Sequence, residues 1–340
     1  MTNASADREH PHEHEALLPS RTRLLVLGSG KIGHETNCLG VARALGLDAS
    51  VAPIRPRALF AALAPYGPAD PRDRRPGGPL AAPYPDLALA CGRQTAPYLR
   101  AIKRLSGGRT FAVFLQDPRW GRASADLIWV PEHDRLRGDN VIVTLTSPHP
   151  LSAAALEQAR AVPDRRVADL PRPRLAIVLG GPSGAYRFEA NDGEALCAAA
   201  GQAAKAGWSV MVTPSRRTPS ELVEGLARAL AACDAPSFVW DGAGDNPYVS
   251  MLASADATLV TADSVNMVGE ALATAAPVYV YEPSGGEARM RGFLARLFEQ
   301  GQIRPWTGEL AHWKRQPLDA TQAIAQAIAE RYRRFRAHSP

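Results

Sequence analysis

A glycine-rich turn near the start of the chain carries the first residues whose types and spacing could do chemistry. Residues 28–33 read Gly-Ser-Gly-Lys-Ile-Gly and follow an apolar run of strand length. This spacing at a strand-to-helix turn lets a backbone approach a pyrophosphate. His34 follows directly, where a histidine can act as a general base near neutral pH. We predict His34 as the catalytic residue, with capping or packing as the competing interpretation, and Gly30 and Lys31 as acceptor-side residues.

The residues that follow this turn do not complete a dinucleotide site. The second predicted strand, around residues 49–54, leads into Arg55 and Arg57 instead of the acidic residue that would hold an adenosine ribose. Arginines there suit NADP, but the chain has no Tyr-x-x-x-Lys pair to supply the catalytic acid of a short-chain dehydrogenase or sugar epimerase. An NADP-dependent sugar-nucleotide epimerase or reductase and a purely structural turn both stay open as alternatives.

A second group of polar residues follows a strand that ends near residue 261. Asp263, Ser264 and Asn266 occupy the turn and the first helical positions, where free backbone N–H groups form a phosphate cradle. Glu270 lies six residues beyond Ser264, about 9 Å along the helix. A nucleotide with its phosphates at the helix start would therefore place its ribose hydroxyls on the Glu270 carboxylate. N-capping with a surface glutamate is the competing structural interpretation.

Two further loops at predicted strand ends should open onto the same crevice. The first offers two glycines and a serine, and the second a serine and two arginines: Gly180, Gly181, Ser183, Ser215, Arg216 and Arg217. Arginine cations suit a diphosphate leaving group. Together with the 263–270 group, these residues form the predicted donor-binding site.

Polar residues after two strands of the first half are candidates for the acceptor side of the site. They are Gln116, Asp117, Glu132 and His133. Strand-end polar residues also serve as caps, so this assignment competes with a local structural one. We expect no metal and no resident cofactor, because helix dipoles and arginines can stabilise a leaving diphosphate.

The elements that must position these residues alternate between strand and helix in both halves of the chain. This pattern predicts parallel sheets covered on both faces, in two αβα units. The predicted boundaries are a disordered tail at 1–20, a first domain at 21–161, a linker at 162–174, a second domain at 175–317 and a final helix in 318–340.

Composition limits the class of protein. The 340 residues are 46% hydrophobic and 21% charged, with a mean hydropathy of −0.18, which excludes disordered, collagen-like and membrane-spanning chains. The net charge of +5 is mild for this length and shows no dense basic stripe, so we expect no nucleic-acid partner. Four widely spaced cysteines read as reduced thiols of a cytoplasmic protein.

A proline-rich stretch, residues 53–85, interrupts the first domain. It carries nine prolines, a cluster at Arg72, Arg74 and Arg75, and a short apolar patch at 59–63. A long insertion of this kind is often a functional surface loop. An acceptor-facing or membrane-facing loop and a solvated excursion are equally compatible with it, and peripheral contact with the inner membrane is a further expectation.

Seven segments together resemble the bacterial branch of the mitochondrial fission protein family, over roughly residues 22–335. They are the 28–46 turn and helix, FLQDPR at 114–119, VPEHD at 130–134, LGGPS at 179–183, TPSRRTP at 213–219, DNPY at 245–248 and the 261–283 stretch. That family is similar to glycosyltransferases of the two-Rossmann-domain class, in which a Gly-His loop resembles residues 30–34 and a ribose-binding glutamate resembles Glu270. Lys31-Ile32 interrupts the first pattern, and Ser264 replaces a glycine of the second.

The resemblance implies a GT-B-like fold of class α/β, with two Rossmann-like domains facing a central cleft and a C-terminal helix packing back on the first. It implies glycosyl transfer from a nucleotide-diphosphate sugar, with a UDP-sugar favoured and a lipid-linked or envelope acceptor. The plant member of the family recruits a dynamin-related GTPase, so a non-catalytic adaptor is the main alternative.

Overall fold

The computed structural model describes residues 16–119, 123, 125–311 and 313–338. Within this part of the chain, two six-stranded sheets account for the strands, and every pairing in both sheets is parallel. The predicted pair of αβα units is therefore confirmed.

The first sheet is built from short apolar runs. Its strands are β1 (Leu24–Gly28), β2 (Ala49–Pro53), β3 (Leu87–Ala90), β4 (Phe111–Phe114), β5 (Leu127–Pro131) and β6 (Val141–Thr144), in the order β2-β1-β3-β4-β5-β6. Its helices are α1 (Ile32–Ala44), α2 (Ala58–Leu63) and α3 (Ala96–Leu105). Strands such as LALA and FAVF are buried at every residue, as expected for a parallel sheet covered on both faces.

The second sheet repeats this architecture. Its strands are β7 (Arg174–Leu179), β8 (Ser209–Pro214), β9 (Ser237–Val239), β10 (Ala257–Thr261), β11 (Val278–Tyr281) and β12 (Arg304–Pro305), in the order β12-β11-β10-β7-β8-β9. The helices of the second half are α4 (Ala153–Ala161), α5 (Arg165–Ala168), α6 (Ala190–Lys205), α7 (Ser220–Ala231), α8 (Tyr248–Ser254), α9 (Val265–Leu272), α10 (Ala288–Glu299) and α11 (Ala320–His338). No helix in the described ranges is long and apolar enough to span a bilayer.

The last helix belongs to the core of the first domain. Ile324, Ile328 and Tyr332 of α11 are buried against α1 and the first sheet, where the Tyr332 ring meets Phe111 edge-on. The prediction that the C-terminal helix packs back on the first domain is confirmed.

Two boundaries differ from the sequence-based ones. Leu18 is buried in the first core and its N–H donates to the Leu45 carbonyl, so residues 16–20 are not a disordered tail, while residues 1–15 lie outside the described part. Helix α4 packs on α8 through Leu156, and the Asp164 N–H beside α5 donates to Ser250 Oγ. The chain therefore crosses to the second sheet at residues 145–152, before the predicted linker at 162–174.

Candidate functional site

A cleft lies between the two domains, because the carboxyl ends of both sheets face it. Of the predicted site residues, Gln116 and His133 line its cavity, whereas His34, Ser264 and Glu270 lie outside that lining. The cavity has a volume of 180 Å³ and is lined from both sides. The first domain contributes Asn37, Gln116 and His133, and the second contributes Val265, Glu287 and Arg289. A cavity that is lined by two domains can bind a ligand between them.

His34 stands at the start of α1 beneath the β3–α3 loop. Its Nδ1 lies 2.9 Å from Ser29 Oγ, and a Cβ on Gly92 would lie only 2.5 Å from Nδ1, so the ring depends on a glycine at that position. Burial lowers the pKa of His34 below its ordinary value, Lys31 lowers it further, and Glu35 partly offsets them. When Nδ1 carries the proton and donates to Ser29, Nε2 presents a free lone pair, the form that a general base requires.

The glycine turn before α1 is closed by a carboxylate from its own helix. Glu35 Oε1 accepts a 2.9 Å hydrogen bond from the Gly30 N–H, and a Cβ on Gly28 would lie 2.9 Å from the same oxygen. Gly30 has a positive φ of 74°, which favours glycine. A carboxylate thus occupies the place where an anionic ligand would approach the turn. Lys31 is the exposed N-cap residue of α1.

Asp263 holds the donor-side loops together through its fully buried side chain. Its carboxylate accepts hydrogen bonds from the Gly181 N–H at 3.0 Å and from Thr261 Oγ1 at 2.7 Å, and it pairs with the Arg217 guanidinium at 2.9 Å. A Cβ on Gly180 would lie 2.1 Å from the same carboxylate. Because its oxygens are engaged within the protein, Asp263 positions the loops instead of facing a ligand as predicted.

The two arginines of the β8–α7 loop differ in their environment. Arg217 donates to the carbonyls of Gly181 and Pro182 in addition to its pair with Asp263, and a Cβ on Gly181 would lie 2.2 Å from the Arg217 backbone. Arg216 is exposed, and its guanidinium forms no hydrogen bond or ion pair with any residue that the structure describes. Only Arg216 is therefore left free to meet an anion.

The three predicted donor-side serines all stabilise local turns. Ser183 Oγ accepts from the Tyr186 N–H, and Ser215 Oγ accepts from the Arg217 N–H. Ser264 is the N-cap of α9 and accepts from the Met267 N–H at 3.3 Å. The capping alternative thus holds for Ser264, although a hydroxyl that accepts one bond still has a proton to donate.

Glu270 faces inward from α9 and is half-buried. One carboxylate oxygen accepts a 2.6 Å hydrogen bond from the hydroxyl of Tyr248, the first residue of α8. Burial raises the pKa of Glu270, and the hydrogen bond from Tyr248 partly counters that rise. The competing interpretation of an exposed surface glutamate is excluded, because the side chain is partly desolvated and held by a specific partner.

The C-terminal end of α9 is held by a buried arginine. The Arg315 guanidinium donates to backbone carbonyls at and just beyond the end of the helix, among them those of Leu272, Ala271 and Ala276. Burial lowers the pKa of Arg315 to about 10. The helix that carries Ser264 and Glu270 is therefore fixed at both ends.

The starts of α9 and α1 approach each other across the cleft. A Cβ on Gly33 would lie 3.0 Å from Nδ2 of Asn266, so the glycine leaves room for that amide. In the amide orientation that satisfies its neighbours, Asn37 Nδ2 donates to the carbonyls of Gly33 and Pro148. Asn266 therefore lies at the domain interface, nearer to the first domain than a purely donor-side residue would be.

The acceptor-side residues are only partly brought together. Gln116 and His133 line the cavity, whereas Asp117 accepts from the Arg119 N–H in a local turn. The Glu132 N–H donates to the Thr144 carbonyl of β6, and the Glu132 carbonyl accepts a hydrogen bond from the Arg137 guanidinium. We find no contact of Asp117 or Glu132 with the cavity.

An arginine from the second domain closes the cleft over His133. Arg289 Nε donates to His133 Nε2 at 3.1 Å, and its Nη2 pairs with Asp134 at 3.1 Å. The His133 ring also packs edge-on against Phe293. Burial and Arg289 lower the pKa of His133, with a smaller opposing effect from Asp134.

Sequence reasoning missed three residues of this site: Glu35, Tyr248 and Arg289. Tyr248 lies in the DNPY segment that carries the family resemblance, so a signal for it existed. Glu35 sits next to His34 but gives no sign of folding back on Gly30. Arg289 belongs to α10, which the residue pattern did not predict. Among the described residues, no group of three or more His, Cys, Asp or Glu side chains is arranged to hold a metal ion.

Comparisons with known proteins agree with this architecture. The structure is similar to that of UDP-GlcNAc 2-epimerase from Methanocaldococcus jannaschii, with a TM-score of 0.54 and 12% identity over 90% of this chain and 98% of that chain. It also matches MurG of Acinetobacter baumannii with a TM-score of 0.48 and 14% identity over 94% of this chain and 95% of that chain. The two parallel sheets and the match to the epimerase confirm the predicted GT-B-like fold, with two Rossmann-like domains facing a cleft.

The sequence comparisons identify the family. The chain is 29% identical to mitochondrial fission protein ELM1 of Arabidopsis thaliana over 271 residues, which are 72% of this chain and 63% of the plant protein. This chain therefore spans less than two thirds of the length of that relative. The model of the family described as Mitochondrial fission ELM1 matches residues 32–332. With a match over most of its length, the chain belongs to the Mitochondrial fission ELM1 family.

Proposed function

We propose that the cleft binds a nucleotide-diphosphate sugar, with a UDP-sugar favoured, and transfers its glycosyl group to an acceptor hydroxyl on a lipid-linked or envelope molecule. The second domain binds the donor and the first domain presents the acceptor. Function depends on the site and not on the fold, so individual side chains carry the proposal.

The Glu270 carboxylate is the observation that carries this proposal. Tyr248 holds one of its oxygens, and the other oxygen has no hydrogen-bond partner in the described part of the chain. The free oxygen can accept hydrogen bonds from two ribose hydroxyls. The start of α9, about 9 Å away along the helix axis, then meets the diphosphate with its unpaired N–H groups.

In the proposed reaction, His34 acts as the general base. Nε2 takes the proton from the acceptor hydroxyl while the acceptor oxygen forms a bond to the anomeric carbon of the sugar. The bond from that carbon to the diphosphate oxygen breaks, and the nucleoside diphosphate leaves with the electron pair. Arg216 and the start of α9 stabilise the negative charge that develops on the leaving group.

The glycine turn argues against an NADP-dependent enzyme. In a dinucleotide site, this turn and the following helix start bind the pyrophosphate. Here Glu35 already accepts the Gly30 N–H, and its charge would repel a pyrophosphate. Of the two arginines suited to a 2′-phosphate, Arg57 is paired with Asp70 through two hydrogen bonds of 2.8 Å, while Arg55 is exposed and unpaired among the described residues. The first domain is therefore better suited to binding an acceptor than to binding a dinucleotide.

A non-catalytic adaptor is the second candidate, and the family membership favours it. Such a protein would keep the fold and use its surface to recruit a partner. It would not require the Tyr248–Glu270 pair, an unpaired Nε2 on His34 or a cavity between the domains.

Thermal shift with a panel of UDP-sugars and other nucleotide sugars tests the proposal. We expect stabilisation by at least one nucleotide sugar in the wild type and its loss in Glu270→Gln. Glu221→Gln, which changes an exposed glutamate of α7 in the same domain, should behave as the wild type. Stabilisation by NADP(H) alone would overturn the proposal, and no response to any nucleotide would favour the adaptor.

A further inference from the structure

The proline-rich insertion presents an apolar helix to solvent. In α2, Leu59 is 65% exposed and Leu63 is 46% exposed, and Tyr66 just beyond the helix is 58% exposed. No residue of α2 is buried. Contiguous exposed apolar side chains that are rimmed by polar residues mark interaction surfaces.

A set of arginines lies along the insertion on either side of this helix. We define the α2 surface as Leu59, Leu63 and Tyr66 together with four exposed arginines: Arg55, Arg72, Arg74 and Arg75. Across the described residues, the guanidinium groups of these four arginines form no hydrogen bond or ion pair.

The acidic residues of the insertion do not neutralise these cations. Asp70 is buried and bound to Arg57, and this pairing holds its pKa well below the ordinary value. Asp73 accepts a short hydrogen bond from the Tyr98 hydroxyl. Both carboxylates are thus engaged within the protein. The α2 surface therefore carries a net positive charge that faces solvent.

The helix is anchored to the domain despite its exposed side chains. Arg93 donates to the carbonyls of Ala61 at 3.1 Å and Ala64 at 3.0 Å, and Arg100 donates to the Gly67 carbonyl at 2.9 Å. Both arginines come from the β3–α3 region of the first domain. A segment that is held through its backbone keeps its apolar side chains outward, instead of folding them into the core.

The same anchor connects the α2 surface to the proposed base. Gly92, directly before Arg93, lies against the His34 ring, since a Cβ there would come within 2.5 Å of Nδ1. The insertion begins after β2, at the carboxyl edge of the first sheet, which is also the edge that carries His34. The α2 surface is therefore close to the acceptor side of the cleft.

We propose that the α2 surface docks on an anionic lipid bilayer. Leu59, Leu63 and Tyr66 enter the interfacial region, and the four arginines bind lipid phosphates around them, a combination that suits a membrane surface. The inference that docking brings a lipid-linked acceptor to His34 rests on the proposed function. Docking itself does not depend on that function.

Co-sedimentation of the full chain with lipid vesicles, without any nucleotide, tests the docking. We expect binding to vesicles of phosphatidylcholine with phosphatidylglycerol, weaker binding at high salt, and little binding to phosphatidylcholine alone. Replacing Arg72, Arg74 and Arg75 by serine should lower the partition coefficient about 100-fold, at roughly a fivefold factor for each arginine. Leu59→Ser with Leu63→Ser should lower it about tenfold or more.

A matched control removes an exposed apolar and an exposed cationic side chain away from the α2 surface. It shows whether vesicle binding depends on that surface or on any such side chain. Val162 is 68% exposed and Arg165 is exposed nearby, both on the side of the second domain. Val162→Ser with Arg165→Ser should bind vesicles as the wild type does. Equal binding by the wild type and the α2 variants would overturn the proposal. So would a dimer in solution that Leu59→Ser dissociates, because the surface would then be an interface between copies.

The outcome separates docking from catalysis. Glu270→Gln should retain full vesicle binding, since Glu270 belongs to α9 of the second domain and is not part of the α2 surface. If the wild type binds vesicles but no nucleotide sugar, docking stands and the proposed function fails. If it binds nucleotide sugars but no anionic vesicle, docking fails and the proposed function stands.

Discussion

The Tyr248 hydroxyl and the Glu270 carboxylate form a 2.6 Å hydrogen bond that joins α8 to α9. Burial raises the pKa of Tyr248 well above its ordinary value, so the tyrosine stays a donor throughout the physiological range. The hydrogen bond fixes the orientation of the carboxylate and leaves its other oxygen without a hydrogen-bond partner among the described residues.

Tyr248→Phe should weaken nucleotide-sugar binding about 10-fold at pH 7.5. The change removes a hydrogen bond to a charged group, a contribution of about 1.5–3 kcal/mol, and part of that loss should appear in binding. Isothermal titration calorimetry measures the affinity. Tyr332→Phe, a change in the core of the first domain, should leave affinity unaltered; an equal loss there would show a general effect on folding.

The pH dependence of binding should report on Glu270. The carboxylate form binds ribose hydroxyls, and burial raises the pKa of Glu270, so affinity should begin to fall at a higher pH than for an exposed glutamate. Tyr248 lowers that pKa, and Tyr248→Phe should therefore move the midpoint to still higher pH. Affinity titrated against pH gives both midpoints, and a downward shift in the variant would contradict the assignment.

His34→Ala should abolish turnover while donor binding persists. A positioned general base contributes about 10²–10⁴ in rate. Because burial lowers the pKa of His34, the base stays neutral at pH 7, and the wild-type rate should begin to fall at a lower pH than for an ordinary histidine. Donor consumption followed by chromatography provides the rate, and Ser29→Ala, which removes the partner of Nδ1, should cause a smaller loss. A rate in His34→Ala equal to that of the wild type would remove His34 from the mechanism.

Arg289→Ala should open the cleft. The 180 Å³ cavity between the domains is smaller than the roughly 300–1,000 Å³ of ordinary ligand sites, so we expect the domains to separate when a nucleotide sugar binds. Arg289 bridges them through His133 and Asp134. Small-angle scattering should show a larger radius of gyration for Arg289→Ala, and the double exchange Arg289→Asp with Asp134→Arg should restore the compact value. An unchanged radius in the single variant would show that other contacts hold the cleft closed.

Arg315→Met should lower the free energy of unfolding by about 3–5 kcal/mol. It leaves several buried carbonyls at the end of α9 without a donor, and each unsatisfied group costs about 1–3 kcal/mol. Urea denaturation measures the change, and Arg315→Lys, which retains charge but supplies fewer donors, should lose less. A loss below 1 kcal/mol in Arg315→Met would show that water replaces the guanidinium at these carbonyls.

The sequence predicted the elements better than the contacts of the site. Apolar runs such as 87–90 and 175–179 became buried strands, because hydrophobic periodicity and glycine turns are local signals. The six-residue helix α2 in the insertion at 53–85 was not predicted. Its sequence lacks an amphipathic repeat, and none of its residues is buried.

The direction of a side chain depends on tertiary contacts that spacing does not reveal. Asp263 and Glu270 both suit a ligand by residue type. Folding directs Asp263 onto Gly181 and Arg217, which come from other loops, and leaves Glu270 an oxygen free. Likewise, nothing local indicates that Glu35 closes the turn at Gly30.

The position of α11 has a consequence for how the protein is made. The core of the first domain includes Ile324, Ile328 and Tyr332, so that domain lacks part of its core until residues 320–338 have left the ribosome. The sheet of the second domain lies entirely between residues 174 and 305 and is synthesised before them. The usual order of folding during synthesis, in which the N-terminal domain comes first, should therefore be reversed here, with the core of the first domain completed after that of the second.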